Sequence, residues 1–289
     1  MAALGTVLTA VVTPFDDDLN VNEEAFVALL RHLADHGSDG AVVCGSTGEA
    51  ATLDDDEHVG VVALACAERP HPGFTIIAGA GSNDTRHAVR LTERVTGAGA
   101  DAVLSVTPYY VKPNRRGLLA HYGAIAQATD RPILLYNIPG RTALDIPNDL
   151  LAEIGGGADN IVGVKQANNE NLALIEGLDI YAGNDDIFAR TLDMGGAGGI
   201  LVASQLVGDE MRRMVDEPGN RAAIDEPLQD VYKTLFMTSS PTCTKAALTM
   251  LGLIPGEYLR LPMVPADDAE RDAVRSMLER HGLLETAAR

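Results

Sequence analysis

The stretch Ile161-Val162-Gly163-Val164-Lys165 decides how the rest of the chain is read. Four apolar or small residues in a row fit a strand buried on both faces, as in a parallel sheet. The run then closes on a lysine. An ammonium at that place is costly to bury unless it is paired or opens onto a cavity. Desolvation also lowers its pKa, which frees the amine as a nucleophile. The plainer alternative is a lysine that reaches solvent from the strand's end. The chain holds four lysines, Lys112, Lys165, Lys233 and Lys245, and only Lys165 closes such a run.

Seven further apolar runs resemble this one, near Val7–Val12, Gly40–Cys44, Thr75–Ala78, Ala102–Val106, Ile133–Tyr136, Ile180–Ala182 and Gly198–Val202. Helix-length amphipathic stretches alternate with the runs, near 22–36, 54–69, 84–97, 115–129, 147–155, 168–177, 185–194 and 206–217. Strands alternating with helices imply parallel βαβ units. Eight of them within residues 1–220 predict a TIM (β/α)8 barrel as the catalytic domain. A doubly wound sheet would carry a Gly-rich phosphate loop after its first strand, where this chain reads Thr13-Pro14-Phe15. After residue 220 the strand signal stops. Arg221–Met237, Thr242–Leu251 and Ala266–His281 read as a C-terminal appendage of three helices spanning 221–289.

Composition narrows the function classes. The formal charge is -19, from 41 acidic and 22 basic side chains. Such a field repels nucleic acid and anionic membrane, and any anion site needs local donors. Abundant Asp with scarce Lys fits either a high-salt surface or a GC-rich genome. No apolar run suits a transmembrane helix. The start, Met1-Ala2-Ala3-Leu4-Gly5, has no basic leader segment, so no secretory signal is expected and a cytoplasmic location is. Three scattered cysteines, Cys44, Cys66 and Cys243, have no metal or disulfide spacing and read as reduced, buried thiols. His32 and His36 share a helix face, but the sequence places no acidic third ligand beside them, so no metal is expected. Asp54-Asp55-Asp56-Glu57, Asn83-Asp84 and Asn148-Asp149 read as helix starts.

Barrel enzymes work at the C-terminal ends of their strands. There this chain places Gly45-Ser46-Thr47-Gly48-Glu49, a turn whose N–H groups and hydroxyls suit a small carboxylate. It also places Thr107-Pro108-Tyr109-Tyr110, Tyr136-Asn137-Ile138-Pro139-Gly140-Arg141-Thr142 and Gly183-Asn184-Asp185-Asp186. A tyrosine at a strand end is either packing or a proton carrier. Arg141 is either a surface residue or a carboxylate clamp. The run Gly195–Gly199 precedes a strand, so it reads as a helix-to-strand turn rather than a phosphate cradle.

These stretches, with Gly163-Val164-Lys165 and Leu259-Arg260-Leu261-Pro262, resemble the pyruvate-dependent class I aldolases, and among them the dihydrodipicolinate synthases. The likeness runs from Val12-Thr13-Pro14-Phe15 to His281-Gly282-Leu283-Leu284. It implies that Lys165 forms a Schiff base with pyruvate and that Tyr136 relays protons. It implies that Thr47 links Tyr136 to Tyr110 of a neighbouring subunit. It makes Ser46 and Thr47 holders of the pyruvate carboxylate, and places Ile200, Gly183 and Asn184 beside the ketoacid. Arg141 would bind the carboxylate of the second substrate, L-aspartate 4-semialdehyde. The implied product is 4-hydroxy-tetrahydrodipicolinate, on the route to lysine by diaminopimelate. No metal or organic cofactor is implied, and a homotetramer built as a dimer of dimers is.

Two residues depart from the pattern: Ser46 stands where the synthases carry threonine, and Gln166 where a glutamate usually follows the lysine. The resemblance also implies an effector pocket for lysine near Ala50, Ala51, Asp55, His58, Asn83, His87 and Tyr109. His87 replaces a glutamate there, and Asp55 a histidine, so weak or absent lysine inhibition is expected. Two other functions share some of these residues. One is a Schiff-base aldolase for a sugar-derived 2-keto acid, of the N-acetylneuraminate or 2-keto-3-deoxy-gluconate type. The other is a catalytically dead barrel used for binding, which has no need of Lys165, Tyr136, Thr47, Tyr110 and Arg141 together.

Overall fold

A computed structural model describes residues 4–284; Met1-Ala2-Ala3, part of the start read as lacking a secretory signal, lies outside them. Eight parallel strands close into a barrel in sequence order: β1 Val7–Ala10, β2 Gly40–Val43, β3 Thr75–Gly79, β4 Ala102–Val106, β5 Ile133–Asn137, β6 Ile161–Gln166, β7 Asp179–Ala182 and β8 Gly198–Leu201. β1 pairs with β8, so the sheet has no free edge. The helices are α1 Glu23–Asp35, α2 Asp55–Ala67, α3 Thr85–Gly97, α4 Arg115–Ala126, α5 Pro139–Thr142, α6 Asn148–Gly155, α7 Phe188–Asp193, α8 Ser204–Asp216, α9 Arg221–Leu235, α10 Thr242–Met250 and α11 Asp268–Arg280. The last three pack on one another and on the barrel's outer layer.

The acidic runs are helix starts. Asp54 closes a capping box with Glu57 at the head of α2, and Asp84 accepts the Arg86 N–H at the head of α3. The sixth connection corrects the sequence reading. Residues 168–177 hold only a 3-10 turn, Asn169–Asn171, followed by a bridge between Ile175 and Leu178. The asparagines draw the backbone away from a helix. Asn168 accepts the Glu170 N–H, while Asn169 and Asn171 bond to Asp186 and Asp145 of neighbouring loops. The seventh helix is also shorter than read, with a 3-10 turn at Asp185–Ile187 before α7.

Two apolar clusters follow from the alternation of strand side chains. Outward-facing residues such as Ile161 and Val164 join the helices. Inward-facing ones such as Leu134, Val162, Tyr181 and Ile200 fill the barrel. In β6 the register shifts: Ile133 pairs with Ile161, but Leu134 pairs with Gly163. Strict alternation from the outward Ile161 would send Lys165 outward as well. The extra residue reverses the phase, so Lys165 pairs with Tyr136 and faces the interior. Gly163 is required at this place. A Cβ there would meet the Asp179 carbonyl oxygen at 2.5 Å and the Leu134 side chain at 2.9 Å.

Candidate active site

Lys165 and Tyr136 sit side by side on β6 and β5, both buried. The Lys165 Nζ lies 4.4 Å from the centre of the Tyr136 ring. Burial lowers the Lys165 pKa to about 7; the negative charge of Asp185 opposes the fall and Arg141 adds to it. The amine is therefore substantially neutral near pH 7 and carries a free lone pair. Burial pushes the Tyr136 hydroxyl up to about 12, with Arg141 and the Ser46 hydroxyl pulling it back. Tyr136 stays protonated and can donate.

Asp185 is the residue that the sequence reading left unassigned. It is buried just after β7, and its Oδ1 accepts the N–H groups of Val202 and Ala203 at 3.0 and 2.9 Å. Burial raises its pKa to about 6, against the pull of those N–H groups and of Lys165. It is the negative charge of the Lys165 chamber. The signal for it was present, since an acid directly following a strand end is a site position in a barrel.

The turn after β2 lies beside this pair. Cys44 and Glu49, at its two ends, have left-handed φ values of 54°. Non-glycine residues hold that conformation only where their surroundings impose it. Gly79 makes room for the turn, because a Cβ there would meet the Cys44 carbonyl oxygen at 2.2 Å. Thr47 is buried and Ser46 is exposed. The Gly48 carbonyl accepts the Thr13 hydroxyl at 2.7 Å, tying the turn to the segment after β1. Arg141, exposed on α5, reaches the Ser240 carbonyl at 3.4 Å.

A cavity of about 320 Å³ joins Ser46, Tyr136 and Arg141 to Ala51, Asp55 and His87. Ala50, His58 and Tyr109 also line it, whereas Asn83 does not. Asp55 Oδ1 lies 2.9 Å from His87 Nε2, so an acid and an imidazole are paired in this part of the cavity. His58 donates its Nε2–H to the Gly79 carbonyl at 2.7 Å, which fixes Nε2 as the protonated nitrogen.

The remaining residues divide clearly. Ile200 is buried in β8 with its side chain in the barrel interior. Gly183 allows close approach of β6 and β7: its N–H bonds the Gln166 carbonyl at 2.7 Å, and a Cβ would strike Ala167. The Asn184 amide is engaged with Ala167 and Asn169. Gln166 accepts from the Asn137 amide and the Asn168 N–H, a role that needs only an acceptor oxygen. Tyr110 stands 87% exposed with a φ of 70° and is not brought to Tyr136 within one chain. His36 does have an acid beside it, contrary to the sequence argument, since Asp209 approaches its Nδ1 at 2.9 Å. Among the described residues no group of three or more His, Cys, Asp or Glu is placed to hold a metal. All three cysteines are free, and Cys66 is half-buried rather than buried. No helix among the described residues is long and apolar enough to cross a membrane.

Comparison with known proteins agrees with this fold. The chain is 40% identical over 294 residues to the 4-hydroxy-tetrahydrodipicolinate synthase of Heliobacterium modesticaldum, covering 96% of each chain. It is 35% identical to the enzyme of the same name from Bacillus subtilis, covering 95% of this chain and 98% of that one. The crystal structure of the Cyanidioschyzon merolae dihydrodipicolinate synthase with lysine bound superposes with a TM-score of 0.93 at 34% identity, covering 98% of this chain and all of that one. The model of the dihydrodipicolinate synthetase family matches residues 3–281, and the chain belongs to that family.

Proposed function

We propose that the chain condenses pyruvate with L-aspartate 4-semialdehyde to give 4-hydroxy-tetrahydrodipicolinate, as a lyase of the class I aldolase type. The observation that carries the reading is a buried lysine, without a contact ion pair among the described residues, poised over a tyrosine at the end of a closed barrel's strands. The Lys165 amine attacks the ketone carbon of pyruvate. Tyr136 hands a proton to the departing hydroxyl, and water leaves as the imine forms. The protonated imine withdraws electrons, so the methyl group loses a proton and becomes an enamine. The enamine carbon attacks the aldehyde of the second substrate. That substrate's own amine then closes the ring on the imine carbon and releases Lys165.

In this reading the Ser46–Thr47 turn holds the pyruvate carboxylate, with the Ile200 carbonyl beside the ketoacid. Arg141 holds the carboxylate of the semialdehyde, as a guanidinium does well. Gly183 and Asn184 act by shaping the ends of β6 and β7. Asp185 keeps the chamber near neutral when Lys165 is charged. Tyr110 completes the proton path from a neighbouring subunit through Thr47, which makes the working unit a homo-oligomer, with a dimer of dimers as the proposed form. The setting is the cytoplasm, and no organic cofactor or metal enters the steps. The names of the relatives favour this synthase over a sugar-acid aldolase.

Borohydride reduction with pyruvate, read by peptide mass spectrometry, tests the proposal. The expected result is a reduced pyruvate adduct on Lys165 that disappears when aspartate semialdehyde is added. An adduct that the semialdehyde does not consume would reassign the enzyme to another aldehyde. No adduct at all would remove the Schiff-base mechanism.

A further inference from the structure

A second buried lysine lies outside the steps above. Lys245, on α10, is fully buried, and its Nζ sits 2.5 Å from Glu49 Oε1. It also donates to the Tyr258 carbonyl at 2.7 Å and lies 4.2 Å from the centre of the Phe15 ring. The other face of the assembly is Arg260. Its backbone N–H donates to Glu49 Oε2 at 3.1 Å, and its guanidinium rests 4.5 Å from the Phe15 centroid. That guanidinium also donates to Thr52, to Leu19 and to both oxygens of Glu57. Both oxygens of a buried carboxylate are thus held, one by charge and one by a backbone donor.

Glu49 is the last residue of the turn that carries Ser46 and Thr47, and its left-handed backbone is one of the two strained points of that turn. Its backbone N–H closes the turn onto the Ser46 carbonyl at 3.2 Å. Movement of the Glu49 side chain therefore moves the residue that sets the Ser46 geometry. The same helix reaches the opposite carboxylate subsite, since Ser240, two residues before α10, accepts from Arg141. A salt bridge this deeply buried adds little stability over an apolar pair of the same shape, so its use lies in fixing geometry.

We propose that Glu49 and Lys245 are positioning residues for the pyruvate carboxylate, locking the Gly45–Glu49 turn against α10 so that its donors meet the ketoacid without rearrangement. The inference rests on the Schiff-base reading. It acts through the turn and assigns Lys245 no covalent role.

The test compares Lys245→Met and Glu49→Gln with the wild-type enzyme, using steady-state kinetics, borohydride trapping and hydrogen exchange of the turn. Each variant is expected to raise KM for pyruvate about tenfold or more, the size of one lost polar contact. KM for the semialdehyde and kcat at saturating pyruvate should change less than about threefold. The double variant should fall no further than the worse single one, because the two groups act as a unit. Faster exchange in peptides covering residues 44–53 should accompany the KM change. Should Lys245→Met fail to fold, Glu49→Gln, which keeps the shape and the Arg260 contact, decides the matter alone. An unchanged pyruvate KM with unchanged exchange would overturn the proposal, as would an equal loss for both substrates. Trapping on wild-type Lys165 is the control for the reaction itself: its absence condemns the mechanism, while its presence leaves the variants to judge the turn.

Discussion

Lys165 and Lys245 are both lysines stripped of water, yet they are built for opposite ends. Each has its pKa lowered by burial, to about 7 and about 8. Lys245 touches a carboxylate at 2.5 Å and a carbonyl at 2.7 Å, so its nitrogen spends its protons on fixed partners. Lys165 has no carboxylate within contact distance among the described residues, only the field of Asp185 and the face of Tyr136. Burial alone does not make a nucleophile. What separates the two is whether an acceptor stands close enough to keep the ammonium charged and still. The same chain thus uses desolvation once to free a lone pair and once to strengthen an ionic lock.

The largest effect that tests this contrast is on turnover. Lys165→Ala should cost at least about a thousandfold in kcat/KM, because among the described residues it is the lysine that lies over Tyr136. A coupled assay reading more than about one hundredth of wild-type activity would end its role as nucleophile. Lys245→Met should act on stability as well as on the pyruvate KM. It leaves the Glu49 carboxylate buried without its cation, at a cost of about 3–5 kcal/mol in a urea unfolding curve. Lys165→Met removes a buried amine that has no ion-pair partner among the described residues, so its midpoint should stay level or rise. A reversed order of the two midpoints would break the distinction.

The pH dependence sharpens it further. On the proposed mechanism only the neutral Lys165 amine attacks pyruvate, so imine formation should rise with pH through about 7. Asp185→Asn removes the charge that holds the Lys165 pKa up, and the acid limb of kcat/KM for pyruvate should move to lower pH. A move to higher pH would deny Asp185 its electrostatic role. For stability the sign follows from proton counts. Between its lowered value and that of an ordinary lysine, each buried lysine binds fewer protons in the folded chain than in the unfolded one. Stability should therefore rise with pH from about 7 for Lys165 and from about 8 for Lys245. Lys165→Met should flatten the first part of that rise. The smallest effect is regulatory: Asp55 is engaged by His87 at 2.9 Å and faces Arg94 at 3.9 Å, so it offers little to an added ammonium. Lysine in the millimolar range should inhibit weakly; sub-millimolar inhibition would show that the pair still recruits it.

Much of this was legible in the chain, and for identifiable reasons. Eight buried-strand runs announce a barrel because a parallel strand covered on both faces must be apolar throughout. Their ends name the site because the fold places chemistry there. Three things were hidden. The inward aim of Lys165 depends on a register shift at β6 that no periodicity displays. The missing sixth helix depends on Asn169 and Asn171 finding acids in other loops. Nothing in the local sequence marks Lys245 as buried, and its partner Glu49 lies far away in the chain. Each is a tertiary choice that overrides a local preference.

That sixth crossover has one more consequence. It carries no α-helix between the strand that bears Lys165 and β7, and Leu174 there is 57% exposed while a Cβ at Gly177 would meet no atom within 4 Å. Opening the chain beside Leu174 dismantles no helix. A circular permutant with its new ends at that point, and the old ones joined by a flexible linker, should keep the barrel and its far-ultraviolet dichroism, whereas the same cut inside α2 or α3 should not.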